Sequence, residues 1–414
     1  MTKLEVGIRP LTDQPNPSEA VDANELDATQ PDPTPLETDA GPGAVEMTAD
    51  QLAEAKQYAR EDLVCDILDK ILDVAYLAVM ALIFATGLEA WLSGTLGLEN
   101  TWLRLGAMFV AITLIHVAVS FPLSFFSGHY LEHKYGLSNQ SLGRWFVRYL
   151  KRNGLMLAFN IVMIECLFLL IWLTGSYWWL AAAAAFFVVS ILLGQLVPVL
   201  ILPMFYKIDR LENDKLENRF EKLTEGTGLA IEGVYRMELS AETSKANAML
   251  AGLGATRRVI LGDTLLEEFT EDEIAVVFAH EVGHHVHRHI RTMILNGLLF
   301  SAGGFLACHW IVSSMHGSSD WTRTLPVAIL PLMMLTITLF SMLLEPLQNA
   351  ISRRYERQSD RYALDSTGDR EAYRSAFSKL ARINKADPDP HPVEVFLLHS
   401  HPPIAERLAM ADRI

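Results

Sequence analysis

Six apolar runs of about twenty residues each divide this chain, at residues 71–92, 103–125, 155–174, 178–202, 293–312 and 325–344. Each is long enough to cross a hydrocarbon layer as a helix. Inside such a layer every backbone polar group must be satisfied within its own segment, so runs of this length fold as a bundle of spanning helices. Trp91, Trp102, Trp178, Trp179, Trp310 and Trp321 sit near the ends of the runs, where interfacial aromatics belong. Half of the 414 residues are hydrophobic, which sets the chain apart from an ordinary soluble enzyme.

The loops fix an orientation. The segment between the second and third runs carries Lys134, Arg144, Arg148, Lys151 and Arg152, whereas the loop between the first two has no Lys or Arg. The basic side is expected to face the cytoplasm. Counting crossings from there, the N-terminus, residues 207–291 and everything after residue 345 fall on that same side, so three polar pieces can meet. The expected divisions are a tail (1–50), a four-span membrane part (51–206), a catalytic part (207–291), two further spans (292–345) and a C-terminal part (346–414).

The net charge of −15 is concentrated at one end, where the first fifty residues hold eleven Asp and Glu against Lys3 and Arg9. With its prolines and no apolar core, that stretch reads as a disordered acidic tail rather than a signal peptide. No basic stripe interleaved with aromatics offers a surface for nucleic acid. Ordered structure is expected from Thr48, which stands at capping-box spacing from Gln51. Cys65, Cys166 and Cys308 are too scattered for a disulfide framework or a zinc knuckle and are expected to be buried thiols. Glu165, His116 and His309 fall in or near apolar runs, where a polar group needs a wet cavity or a partner.

Against this background the stretch "AHEVGHHVHRHI" (residues 279–290) is the chemical signal. His280, Glu281 and His284 spell H-E-x-x-H. On a helix, histidines four apart project from one face and can share one zinc ion, while Glu281 stands close enough to take a proton from an attacking water. Gly283 costs helix stability but leaves room beside the metal. His289 is a candidate to support a ligand from behind; His285 and His287 read as polar surface. The plainer alternative for the whole stretch is a solvated His-rich helix.

A catalytic zinc takes three protein ligands, and no Gly follows His284 at the spacing of the compact H-E-x-x-H-x-x-G-x-x-H form. In "EPLQNAISRRYERQSDRYALD", Glu356 and Asp360 stand four apart on an expected helix, so one carboxylate could bind zinc and the other could fix a ligand imidazole. From spacing alone, a surface Glu among arginines explains Glu356 equally simply.

"HEVGH" followed by "NAISRRYERQSDRYALD" resembles the type I CAAX prenyl protease family of integral-membrane zinc metalloproteases, with the HtpX-type proteases as more distant relatives. "YLEHKYGLSNQSLGRW", "ILPMFYKIDRLENDKLENRFEKL", "SAETSKANAMLAGLGATRRVILGDTLL" and "HSHPPIAERL" resemble further segments of that family, so the likeness covers roughly residues 58–408. It implies a mainly α fold: a polytopic membrane helix bundle of about six spans, with a zincin-like H-E-x-x-H catalytic domain containing a small β-sheet on the cytoplasmic side. His280, His284 and Glu356 would hold one catalytic Zn2+, Glu281 would be the general base, and Asp360 would steady a ligand. Asn247 and Ala248 would belong to an edge strand that pairs with substrate, and His401 and Arg407 would lie near the scissile bond. Eukaryotic members have seven membrane helices around a chamber; the first has no counterpart among these six runs.

The resemblance implies a peptide or protein substrate, possibly prenylated at its C-terminus, and a lipid bilayer as the other partner. The membrane would be a bacterial inner membrane or the endoplasmic reticulum. Two alternatives stand beside a CaaX-directed protease. One is a less selective quality-control protease for membrane proteins; the other is a non-enzymatic, metal-binding transporter, which gives Glu281 no purpose.

Overall fold

The computed structural model describes residues 45–252, 257–316, 322 and 325–413. The acidic tail therefore lies, up to residue 44, outside the described residues. The first described helix begins at Ala49 with Thr48 as its N-cap: the Thr48 hydroxyl accepts from Gln51 N and the Gln51 side chain accepts from Thr48 N.

Among the described residues, five helical stretches are long and apolar enough to cross a membrane: Ala49–Gly94, Thr101–Lys134, Leu142–Phe205, His289–Met315 and Val327–Thr367. The third holds two of the six expected runs. Its first helix, Leu142–Thr174, ends at Gly175, which adopts φ 55, and a single 3-10 turn, Gly175–Tyr177, leads into Trp178–Leu196, which packs back against it. A turn that short barely interrupts the helical record, although glycine's freedom at positive φ lets the chain reverse.

Large apolar side chains point outward along the spans, among them Leu82, Leu173, Leu299, Trp310 and Leu343. Exposure on that scale is rare on a soluble surface and is what a lipid-facing bundle requires. Inside the bundle, Leu105, Met108, Phe168, Trp178 and Leu330 pack into one core. The polar groups in the spans are mostly paired there: His116 Nε2 lies 2.7 Å from Asp73, and Trp178 Nε1 donates to His309 Nδ1 at 3.1 Å. Cys65 and Cys308 are buried thiols, but Cys166, expected to be buried, is exposed on the outer face of its helix. Apolar context in sequence does not separate the inward from the outward face of a spanning helix.

Two helices outrun the apolar layer. Ala49–Val79 begins more than twenty residues ahead of its apolar run, and Leu330–Thr367 continues as far beyond its own. Lys70 and Glu345 pair at 2.7 Å at the border where both runs meet the polar side. The polar halves frame a four-stranded mixed sheet in the order β1-β2-β4-β3, with β1 Ile208–Arg210, β2 Gly233–Met237, β3 Ala248–Ala251 and β4 Arg258–Gly262. Its core joins Val234, Val259 and Leu261 of the sheet to Leu216 and Phe220 of the helix Asp214–Thr224 and to Ile274, Phe278 and Val282 of the helix Glu271–Val286. Among the described residues β3 pairs with β4 alone and forms an edge.

The sheet-bearing part also docks directly on the bundle. Buried Asp263 accepts from Leu239 N, Ser240 N and Thr264 N and from the Ser240 hydroxyl, folding the segment that leads to β3. That segment docks on the loop after the second span through the Ser138–Thr243 bridge and through Thr243 Oγ1, which donates to Leu137 O at 2.7 Å.

Gly283 has a different reason from the one its sequence position suggests. A Cβ there would stand 2.8 Å from the Ser359 Cα of the long helix, so the glycine permits two helices to touch rather than leaving space for a metal. In an isolated helix Gly→Ala gains about 1 kcal/mol, but overpacking against backbone costs roughly 1–3 kcal/mol. Gly283→Ala should therefore lower the thermal midpoint and weaken metal binding together; a stabilised variant with full metal content would show that the contact is unimportant.

Candidate active site

The helix Glu271–Val286 opens with a second capping box, Thr270 with Glu273, and buries the N-terminal part of the motif so that His280 is 7 % exposed. Its neighbour Leu330–Thr367 presents Glu356 and Asp360, both buried, one turn apart. Across the Gly283–Ser359 contact three ligand atoms converge. His280 Nε2 lies 3.2 Å from His284 Nε2 and 3.2 Å from Glu356 Oε2, and His284 Nε2 lies 3.3 Å from Glu356 Oε1.

These separations suit a cation. Ligands at about 2.0–2.1 Å from a tetrahedral zinc stand about 3.3 Å from one another. Glu356 Oε2 is buried without a hydrogen bond of good geometry, as befits an oxygen aimed at a metal. Among the described residues, His280, His284 and Glu356 are the group of histidines and acids so arranged.

Behind the ligands the partners are equally defined. His280 Nδ1 meets Asp360 Oδ1 at 2.9 Å, which leaves Nε2 to face the cluster. Burial pulls the His280 imidazole down, but its hydrogen bonds to Asp360 and Glu356 outweigh that and push its pKa up to about 9. A site this favourable to positive charge suits a bound cation as well as a proton. His289 is 2 % exposed, lies 3.2 Å from His284 Nδ1, meets Gln358 Oε1 at 2.9 Å and stacks on Tyr355. Arg288, at φ 57, breaks the helix and turns His289 back towards the motif. His285 pairs with Arg257, and His287 is exposed.

Glu281, Asn247, Ala248, His401 and Arg407 all line one cleft of about 670 Å³ with His280 and Glu356. His401 is mostly exposed, with Nδ1 2.9 Å from Glu356 Oε2. Arg407 is buried, its guanidinium engaged by Asp360 at 2.9 and 2.5 Å and stacked over Phe377. Within the cleft it packs against Asp360, and its Nη2 also stands 3.4 Å from His280 Nδ1. The physical reason is charge: a fully buried carboxylate needs a buried cation.

Sequence reasoning passed over Arg353. Its Nη1 donates to Val395 O at 2.7 Å and His399 O at 2.5 Å, while Asn349 donates to Leu397 O, so the end of the helix Pro392–Leu398 is capped from the long helix and "HSHPP" is hung over Glu356. The available signal was the seven-residue stride from Asn349 through Arg353 to Glu356, which places all three on one helical face.

Residues 210–414 match the family model for peptidase family M48, and residues 38–207 match the model for the CAAX prenyl protease N-terminal region with five membrane helices. The chain is 30 % identical over 334 residues to CAAX prenyl protease 1 of Saccharomyces cerevisiae, covering 73 % of this chain and 71 % of that one. It is 28 % identical to the uncharacterized metalloprotease YhfN of Bacillus subtilis, over 74 % of this chain and 73 % of the other. The crystal structure of S. mikatae Ste24p shares the fold, with a TM-score of 0.77 at 24 % identity over 88 % of this chain and 89 % of that one. The chain belongs to peptidase family M48 and is an integral-membrane metalloprotease that hydrolyses peptide bonds.

Proposed function

We propose that the chain is a zinc endopeptidase working on the cytoplasmic face of its membrane and cutting near the C-terminus of prenylated CaaX substrates. The observation that carries the zinc site is the convergence of His280, His284 and Glu356 at 3.2–3.3 Å, with Glu281 in the same cleft. The substrate class is supported by the relatives from yeast, plant and human named CAAX prenyl protease 1 or its homolog. The basic loop after the second span supports the cytoplasmic side.

Zinc, when bound by His280, His284 and Glu356, supplies Lewis-acid polarisation of the scissile carbonyl and a lowered water pKa. Glu281 takes the proton from the attacking water as its oxygen bonds to the carbonyl carbon, then delivers that proton to the amine as the C–N bond breaks. Asp360 accepts the His280 Nδ1–H and so fixes which nitrogen faces the cluster, and Arg407 keeps Asp360 ionised and in place. His401, at the mouth of the cleft, donates to the oxyanion that develops on the substrate. The free edge of β3 pairs with the substrate backbone, aligning the chain without reading side chains. A less selective quality-control protease is the second reading, favoured by the match to a bacterial protein named simply a metalloprotease.

Cleavage of a farnesylated CaaX peptide and its plain twin, each with and without a zinc chelator, tests the substrate class. Chelator-sensitive cutting of the farnesylated peptide alone is expected; equal cutting of both would favour the second reading. In the same assay Glu281→Gln should retain stoichiometric zinc and lose about a thousandfold in kcat, and a turnover near wild type would remove Glu281 from its role. Arg407→Ala strands the buried Asp360 carboxylate. Its zinc affinity should fall about ten- to a hundredfold in a competitive chelator titration, and an unchanged affinity would contradict the chain of contacts from Arg407 to His280.

A further inference from the structure

Strand β3 is an edge, yet the residue just ahead of it is not free. Ala246 N donates to Asn384 Oδ1 at 2.9 Å, and Asn384 Nδ2 donates to Ala246 O at 3.3 Å, so one side-chain amide satisfies both backbone groups of one residue. That is the pair of bonds a neighbouring β-strand would supply. The direction follows from the ladder. Gly262 N donates to Asn247 O at 2.9 Å, which turns Asn247 towards β4. In an extended chain successive residues present their backbone groups to opposite sides, so Ala246, Ala248 and Leu250 all turn towards the outer edge. Asn384 occupies the first of these three positions, and Ala248 stands next in line within the cleft that holds Glu281.

Asn384 is itself held firmly. It caps the C-terminus of the helix Arg370–Ile383, where Lys385 N donates to Arg382 O and Ala386 N to Ala381 O, a Schellman closure. That closure puts Lys385 at φ 50, a costly conformation for a residue with a Cβ, and Lys385 is tied by an ion pair with Glu54 at 2.6 Å. On the other side of Ala246, Lys245 is anchored by Tyr58 and Glu132 through Nζ, and by the Thr264 hydroxyl through its carbonyl.

We propose that Asn384 is a positioning residue that sets the register of the substrate strand. By filling the Ala246 position it leaves Ala248 as the first pairing site, and so fixes which peptide bond reaches Glu281. The proposal rests on the reading that β3 pairs with substrate. Without Asn384, the freed Ala246 groups would offer a second register displaced by two residues. A one-residue slip would turn every substrate side chain to the wrong face and is disfavoured.

The test uses the full-length enzyme and the CaaX peptide, farnesylated or plain, that the wild-type enzyme cuts, with products identified by mass spectrometry. A series of the peptide singly N-methylated along its backbone is run first with the wild-type enzyme. Loss of cutting at alternate positions supports strand pairing, and no effect at any position would overturn that reading. Asn384→Ala should then lower kcat/KM at the wild-type bond by about two- to tenfold, because bound substrate divides between two registers. It should also add products displaced by two residues. Asn384→Asp, which still accepts from Ala246 N but cannot donate to its carbonyl, should show the same displaced products in smaller yield. A single wild-type cleavage site in Asn384→Ala, while the N-methyl pattern persists, overturns the proposal. So does a fall in activity that only tracks lost metal content and thermal midpoint. If Asn384→Ala is too unstable to assay, a single cleavage site in Asn384→Asp is equally decisive against it.

Discussion

The close approach of Gly283 to Ser359 is the constraint on which the site depends. His280 and His284 come from one helix, and Glu356 and Asp360 from another that begins inside the membrane. Here imidazole nitrogens and a carboxylate stand 3.2–3.3 Å apart between helices whose backbones nearly touch, and the missing Cβ at Gly283 allows that approach. Close packing then makes the geometry stiff, because a fraction of an ångström between the helices is felt directly as ligand spacing.

The same long helix organises the rest of the cleft. Its apolar half packs in the bundle, and its polar half carries a metal-ligand candidate, the carboxylate behind His280, and the Arg353 that holds the His401 segment. The first helix runs beside it and contributes Tyr58 and Asp62 to the cleft, and the Lys70–Glu345 pair locks the two where they leave the apolar layer. The apolar bundle and the part that carries the cleft are therefore continuous through two helices. A rigid connection of this kind suits a protease whose substrates approach along a bilayer.

Legibility in the sequence followed the range of the interaction. Helix periodicity placed His280 and His284 on one face, and the capping box at Thr48 was readable because its partner lies three residues away. The apolar runs were readable for the same reason, and the one ambiguity, between six runs and five helical stretches, turns on the short reversal at Gly175. Glu356 was reached through family resemblance, since an acid among arginines has no local mark of burial. Gly283 was misread because its neighbour Ser359 lies on another helix. Arg407 was expected near the scissile bond from the family resemblance, and its pairing with Asp360, remote in sequence, had no local mark. Asn384 gave no signal, because an Asn at a helix end is ordinary until Ala246 is seen beside it.

The central claim is that one metal ion is held by two histidines of the H-E-x-x-H helix and one carboxylate of the long helix. X-ray absorption at the zinc edge of the purified protein reads that shell directly. Two imidazole nitrogens and carboxylate or water oxygens at about 2.0–2.2 Å, with the shell perturbed in Glu356→Ala, are the predicted result. A shell containing sulfur, more than two histidines, or an environment unchanged in Glu356→Ala would contradict the account.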